Sequence, residues 1–137
     1  MKLNSWTKTL LVFLLISITV IGFMVKLPSS FRHIDKELHS AFYFFAAAFL
    51  NLLFAKRKLL KHIFIFVCLY LFGVAIEYAQ EYSNKFLGRR IHGRFDVEDV
   101  QANLKGLLFF SILWIIVVFI MWIYEKSRMG SIKGSRD

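Results

Sequence analysis

The stretch Leu107-Leu-Phe-Phe-Ser-Ile-Leu-Trp-Ile-Ile-Val-Val-Phe-Ile-Met-Trp-Ile-Tyr124 decides the fold. It carries no charge over a length close to the ~20 residues an α-helix needs to cross the hydrocarbon core. In lipid the backbone must satisfy its own hydrogen bonds, so such a run reads as a membrane helix. Three further runs precede it: Ile63 to Ala79, Ser40 to Ala55, and Leu10 to Val25 with an extension to Leu27. Pro28, Ser29 and Ser30 end the first. Lys2 and Lys8 precede that run as they would a signal peptide. However, no small-x-small cleavage site follows, and the run is long for a signal's apolar region, so a retained helix is expected. The sequence predicts an all-α integral membrane bundle of four transmembrane helices, at about 8–27, 36–55, 62–81 and 98–125. They form a single domain over 1–137, ending in a flexible tail over 126–137.

Composition agrees. A chain of 137 residues that is 58% hydrophobic and 18% aromatic cannot hide its apolar surface in a water-soluble core. The formal charge of +9 sits in short segments between apolar runs and not on a folded basic face, which excludes nucleic acid as a partner and matches anchoring beside anionic lipid. Cys68 is the single cysteine, so no intramolecular disulfide forms, and its place in an apolar run predicts a thiol buried in the membrane. The loop Lys56-Arg57-Lys58-Leu-Leu-Lys61 holds four cations and no acid. With the N-terminus and the tail its side carries 10 Lys and Arg against 8 on the other, a slight bias. The compact, acid-free loop places that side, and both termini, in the cytoplasm.

The acids are the sharper signal. Asp35, Glu37, Glu77, Glu81, Asp96, Glu98 and Asp99 lie in or beside the 28–38 and 80–106 connections, which share one side in any four-span topology. Asp35 and His39 are one helical turn apart on one face. An acidic first turn favoured by the helix dipole accounts for Asp35 or Glu37 taken singly. Glu77 follows a long apolar stretch and is expensive in lipid unless it faces a bundle interior. Gln80 lies one turn further on, while Glu81 reads as an interface charge. Asp99, Asn103 and Gly106 share one face of the last helix, where a glycine lets a neighbouring helix or a ligand approach closely. Asp96 reads as that helix's cap. Arg89 and Arg90 are readable as headgroup anchors.

Three separated motifs carry a family resemblance: Asp35-Lys36-x-x-His39, Glu77-x-x-Gln80, and Arg94-x-x-x-x-Asp99-x-x-x-Asn103-x-x-Gly106. Over roughly residues 30–115 the chain resembles the VanZ-like family. The resemblance implies a four-helix, multi-pass protein of the bacterial inner membrane, in a family named for an accessory protein of teicoplanin resistance. Relatives often carry a second glycine where this chain has Phe110, which weakens the expectation of close packing one turn deeper. The 85–93 stretch matches imperfectly, so either Arg90 or Arg94 takes the place of the family's arginine.

Two chemistries suit these residues at a lipid–water boundary. One is recognition of a phosphate-bearing lipid, a class that includes lipid-linked cell-wall precursors. There Arg94 or Arg90 supplies a bidentate fork, Lys36 a point charge, and Gln80, Asn103 and Gly106 further binding surface. A divalent cation held by Asp35, Glu77 or Asp99 with His39 or Asn103 fits the same setting. The other is acid–base catalysis by His39, Glu77 and Asp99. No nucleophile elbow, P-loop or H-E-x-x-H motif names a reaction. Three functions stay open: an enzyme or remodeller of lipid-linked envelope precursors, a non-catalytic envelope factor that binds a headgroup or a partner protein, and a structural subunit. Oligomeric state is not encoded legibly.

Overall fold

A computed structural model describes residues 3–24, 34–88 and 95–134. It contains four helices: α1 (Ser5–Met24), α2 (Asp35–Leu50), α3 (Leu59–Leu87) and α4 (Val97–Gly134). A π-helical turn over Asn51–Ala55 prolongs α2. All four helices are long and apolar enough to cross a membrane. The bundle turns large apolar side chains outward, among them Phe13, Leu52, Phe64, Leu71, Phe109 and Ile120. Such a surface is stable against hydrocarbon and not against water. Cys68 belongs to this outer face: it is exposed on α3, not enclosed by the bundle, because its neighbour Leu69 takes the inward position.

The helices alternate in direction, so two ends can be told apart. At one end Lys8 of α1 lies over the Phe54 ring, 5.6 Å from its centroid, and Arg57 meets Glu125 of α4. At the opposite end, here called the head, the acidic first turns of α2 (Asp35, Glu37) and α4 (Glu98, Asp99) stand side by side. Acids at helix N-termini complement the partial positive charge there.

The core is built mainly between α2 and α4. Tyr43, Ala46, Ala47 and Ala55 face Leu107, Phe110 and Trp114, with Ile65 and Leu69 of α3 closing the third side. Small residues on α2 bring the two backbones close, and Gly106 marks the tightest approach. A Cβ built there overlaps the Ser40 carbonyl oxygen and lies 3.1 Å from the Phe44 amide nitrogen. One turn deeper Phe110 is buried and meets Phe44 edge-on at 5.7 Å, so an aromatic pair stands where the expectation of close packing was weaker. Helix α1 is peripheral, with Trp6, Leu10, Phe13 and Ile21 all exposed.

Helix ends differ from the sequence expectation. Helix α3 runs on to Leu87 and not to 81, because a Lys85–Glu81 ion pair at 2.8 Å and a Ser83 hydroxyl donating to the Gln80 carbonyl at 2.8 Å extend it past the apolar run. Gly88, at φ +61°, then stops it in a left-handed cap. Helix α4 stays helical to Gly134, through residues expected to form a tail, since nothing in Glu125–Met129 breaks the backbone pattern. Lys126 helps by lying over the Trp122 ring at 5.2 Å.

The Gly106 contact generates a contrast. Gly106→Ala must push α2 and α4 apart, and overpacking of this kind costs about 1–3 kcal/mol or more. Gly22→Ala, with nothing within 4 Å of its added methyl, should be neutral. Thermal unfolding of the two variants in detergent checks this, with a lowered midpoint expected only for Gly106→Ala.

Candidate functional site

The head gathers most of the polar residues singled out by sequence. His39 projects from the second turn of α2 and is 5% exposed; Asn103 projects from α4 and is 2% exposed. His39 Nδ1 and Asn103 Oδ1 are 2.9 Å apart. An amide oxygen only accepts, so Nδ1 carries the hydrogen and donates it. The other ring nitrogen, Nε2, is 4.0 Å from Asp35 Oδ1 and 4.0 Å from Asp99 Oδ2. The i,i+4 spacing supplies the first of these neighbours and the α2–α4 packing the second.

Lys36 is held by three carboxylates: Asp96 at 3.5 Å, Glu98 at 2.8 Å and Asp99 at 3.4 Å. Its charge is therefore spent on tying α2 to the start of α4. It is not a free point charge for a ligand. Asp96 caps α4, its Oδ1 accepting the Glu98 N–H at 2.8 Å, as its position predicts. The Asp96 N–H in turn donates to Glu77 Oε2 at 3.2 Å. Glu77 is 1% exposed, so the deep carboxylate of α3 has its partner at the α4 terminus. Gln80, buried one turn along, donates from Nε2 to the Phe23 carbonyl at 2.7 Å, anchoring the end of α1. Phe23 then covers the site, its ring 4.4 Å from that of His39. Arg90 and Arg94 lie outside the described residues.

A groove of about 820 Å³ runs along the outer face between α2 and α4. Lys36, Glu37, Glu98 and Lys105 line its polar part, Phe44, Phe45 and Phe109 its aromatic part, and Gly106 lies on its wall. Lys36 borders both the groove and the His39 cluster.

Sequence reading missed a second polar layer near the far end. His62 of α3 is buried, with Nδ1 2.8 Å from Asn51 Oδ1 and Nε2 3.1 Å from Ser111 Oγ. It stacks flat on Trp114 at 4.2 Å, and the Trp114 indole donates to the Lys56 carbonyl at 3.2 Å. That bond secures Lys56, whose φ of +52° is unusual for a side chain other than glycine. Both ring nitrogens of His62 are engaged, which makes this layer a structural clamp. Its only sequence signal is a histidine beside a basic loop.

Removing the Asn103 carboxamide should expose the design of the head. Asn103→Leu leaves the His39 Nδ1–H buried without an acceptor, a loss of ~1–3 kcal/mol. Exposed Gln101→Ala serves as the neutral comparison. Denaturant titration of the purified variants checks the difference.

No protein-family model, curated protein or solved structure matches this chain.

Proposed function

We propose that this chain is a VanZ-like envelope protein of the bacterial inner membrane that binds a phosphate-bearing lipid at the head and acts on it there. The observation that carries the reading is the groove between α2 and α4, with cations and acids at its polar part and Phe44, Phe45 and Phe109 along its apolar part. An amphiphile matches that pattern: a charged headgroup among the polar residues, a chain against the aromatic ones. His39, Glu77 and Asp99 are the groups for acid–base work beside it, and Lys105 and the arginines at 90 and 94 supply attraction. Lipid-linked cell-wall precursors belong to this substrate class, which gives the reading a route to altered glycopeptide susceptibility.

A structural role for the same cluster has its own support, since Glu77 and Lys36 tie helix ends together. His39→Ala and Glu77→Gln separate the two readings. Loss of activity with normal accumulation in the membrane supports a working site, and loss of accumulation supports a structural one.

Lipids that co-purify from gentle detergent, identified by mass spectrometry, should be anionic and phosphate-bearing. Arg94→Lys keeps charge but removes the planar fork, so binding to anionic vesicles should fall about tenfold, the loss expected for one charge-assisted hydrogen bond of ~1.5 kcal/mol. Full retention in Arg94→Lys, or equal binding to zwitterionic vesicles, defeats the reading.

The head faces outward in this proposal, with both termini cytoplasmic. In a Cys68→Ser background, Ser30→Cys or Gly93→Cys should react with an impermeant thiol reagent in intact cells. Reaction only after permeabilisation reverses the orientation.

A further inference from the structure

We propose that Asp35, His39 and Asp99 form a binding site for one first-row divalent cation, with Asn103 and Lys36 orienting two of its ligands.

The first ground is the state of His39. Its side chain is only 7% exposed, and Asn103 fixes the hydrogen on Nδ1. The other ring nitrogen, Nε2, has one oxygen of Asp35 and one of Asp99, each at 4.0 Å. Three ligand-type atoms from two helices thus converge with no hydrogen bond among them. The contrast with His62 is direct, because there Nε2 meets a hydroxyl at 3.1 Å and nothing is left over.

The second ground is size. One donor atom from each of Asp35, His39 and Asp99 can be chosen so that all lie within 4.8 Å of one another. Three atoms no more than 4.8 Å apart have a common centre about 2.8 Å or less from each. Coordination at ~2.0–2.2 Å then needs shifts of about half an ångström.

The third ground is the supporting shell. A ligating histidine usually donates its other N–H to an oxygen that sets the ring, which is what Asn103 Oδ1 accepts here. Asp99 divides its oxygens, Oδ1 taking the Lys36 ammonium at 3.4 Å and Oδ2 facing His39. Two carboxylates neutralise a dication. One imidazole with two carboxylates suits Mn2+ or Zn2+ better than Ca2+, whose sites are all oxygen. Three protein ligands also leave positions open for water or for an oxygen of a phosphate.

None of the three ligands lines the groove, although His39 and Asp99 are shared with the lipid reading as its acid–base groups. The test keeps the two readings separate by using delipidated full-length protein in detergent. The protein is stripped with EDTA, dialysed against Mn2+ or Zn2+, freed of unbound metal and assayed by plasma mass spectrometry. Wild type should retain about one ion per chain, and Asp35→Asn and Asp99→Asn should each retain at least about tenfold less. Glu125→Gln, at the opposite end of the bundle where it pairs with Arg57, should bind as wild type does. Mn2+ bound to wild type should show nitrogen coupling by pulsed electron paramagnetic resonance, absent in His39→Gln. If Asp99→Asn fails to fold, Asp35→Asn decides, since the Asp35 side chain is 34% exposed and tolerates change. Less than about a tenth of an ion per wild-type chain, or full occupancy in Asp35→Asn, overturns the site.

Discussion

The backbone contact between Gly106 and Ser40 is the constraint on which the rest of the structure depends. It sets the distance between α2 and α4 where no side chain intervenes. His39 immediately precedes Ser40, and Asn103 lies one turn before Gly106, so the same approach brings the imidazole and the carboxamide to 2.9 Å. One turn deeper it seats Phe44 against Phe110. A methyl group at position 106 would therefore loosen packing and chemistry together. In lipid this matters more than in water, because apolar attraction between helices is weak and close packing with polar bonds must replace it.

Polar groups within the bundle follow the same logic at both ends. Two His–Asn pairs, His39–Asn103 and His62–Asn51, tie different elements together. In each, one hydrogen bond fixes the ring. What the second nitrogen faces then decides its use. Ser111 completes His62 and leaves a clamp that steadies the π-helical turn and the Lys56 corner. Two carboxylates face His39 and leave it incomplete. Identical side chains in similar pairs thus serve packing at one end and suit ligand chemistry at the other.

Much of this was legible in the sequence. Uncharged runs such as 107–124 give membrane helices with little ambiguity, and the spacing of Asp35 with His39, or of Asp99 with Asn103 and Gly106, places each group on one helical face. The head follows from counting crossings. Less legible features depend on contacts between distant residues. Lys36 reads as a spare cation until Asp96, Glu98 and Asp99 arrive from sixty residues away to neutralise it. Gln80 reads as a binding group, yet its amide closes the end of α1 through Phe23. His62 adjoins a run counted from Ile63, so nothing local reveals that it turns inward. Helix α3 runs past its apolar stretch to Leu87 because an ion pair and a glycine cap, not hydropathy, set its end.

The charge balance at the head narrows what can bind there. Asp35, Glu37, Glu77, Glu81, Asp96, Glu98 and Asp99 lie on its side, with Lys36, Lys85 and Lys105 as the cations among the described residues. Lys36 is already committed to three of those acids. Among the described residues the acids outnumber the cations at the head, which favours a cation there over an anion. A dication between Asp35, His39 and Asp99, as proposed, would answer that imbalance. The proposed headgroup and cation sites would share this one electrostatic setting, and the three proposed cation ligands are groups that α2 and α4 bring within 4.8 Å of one another.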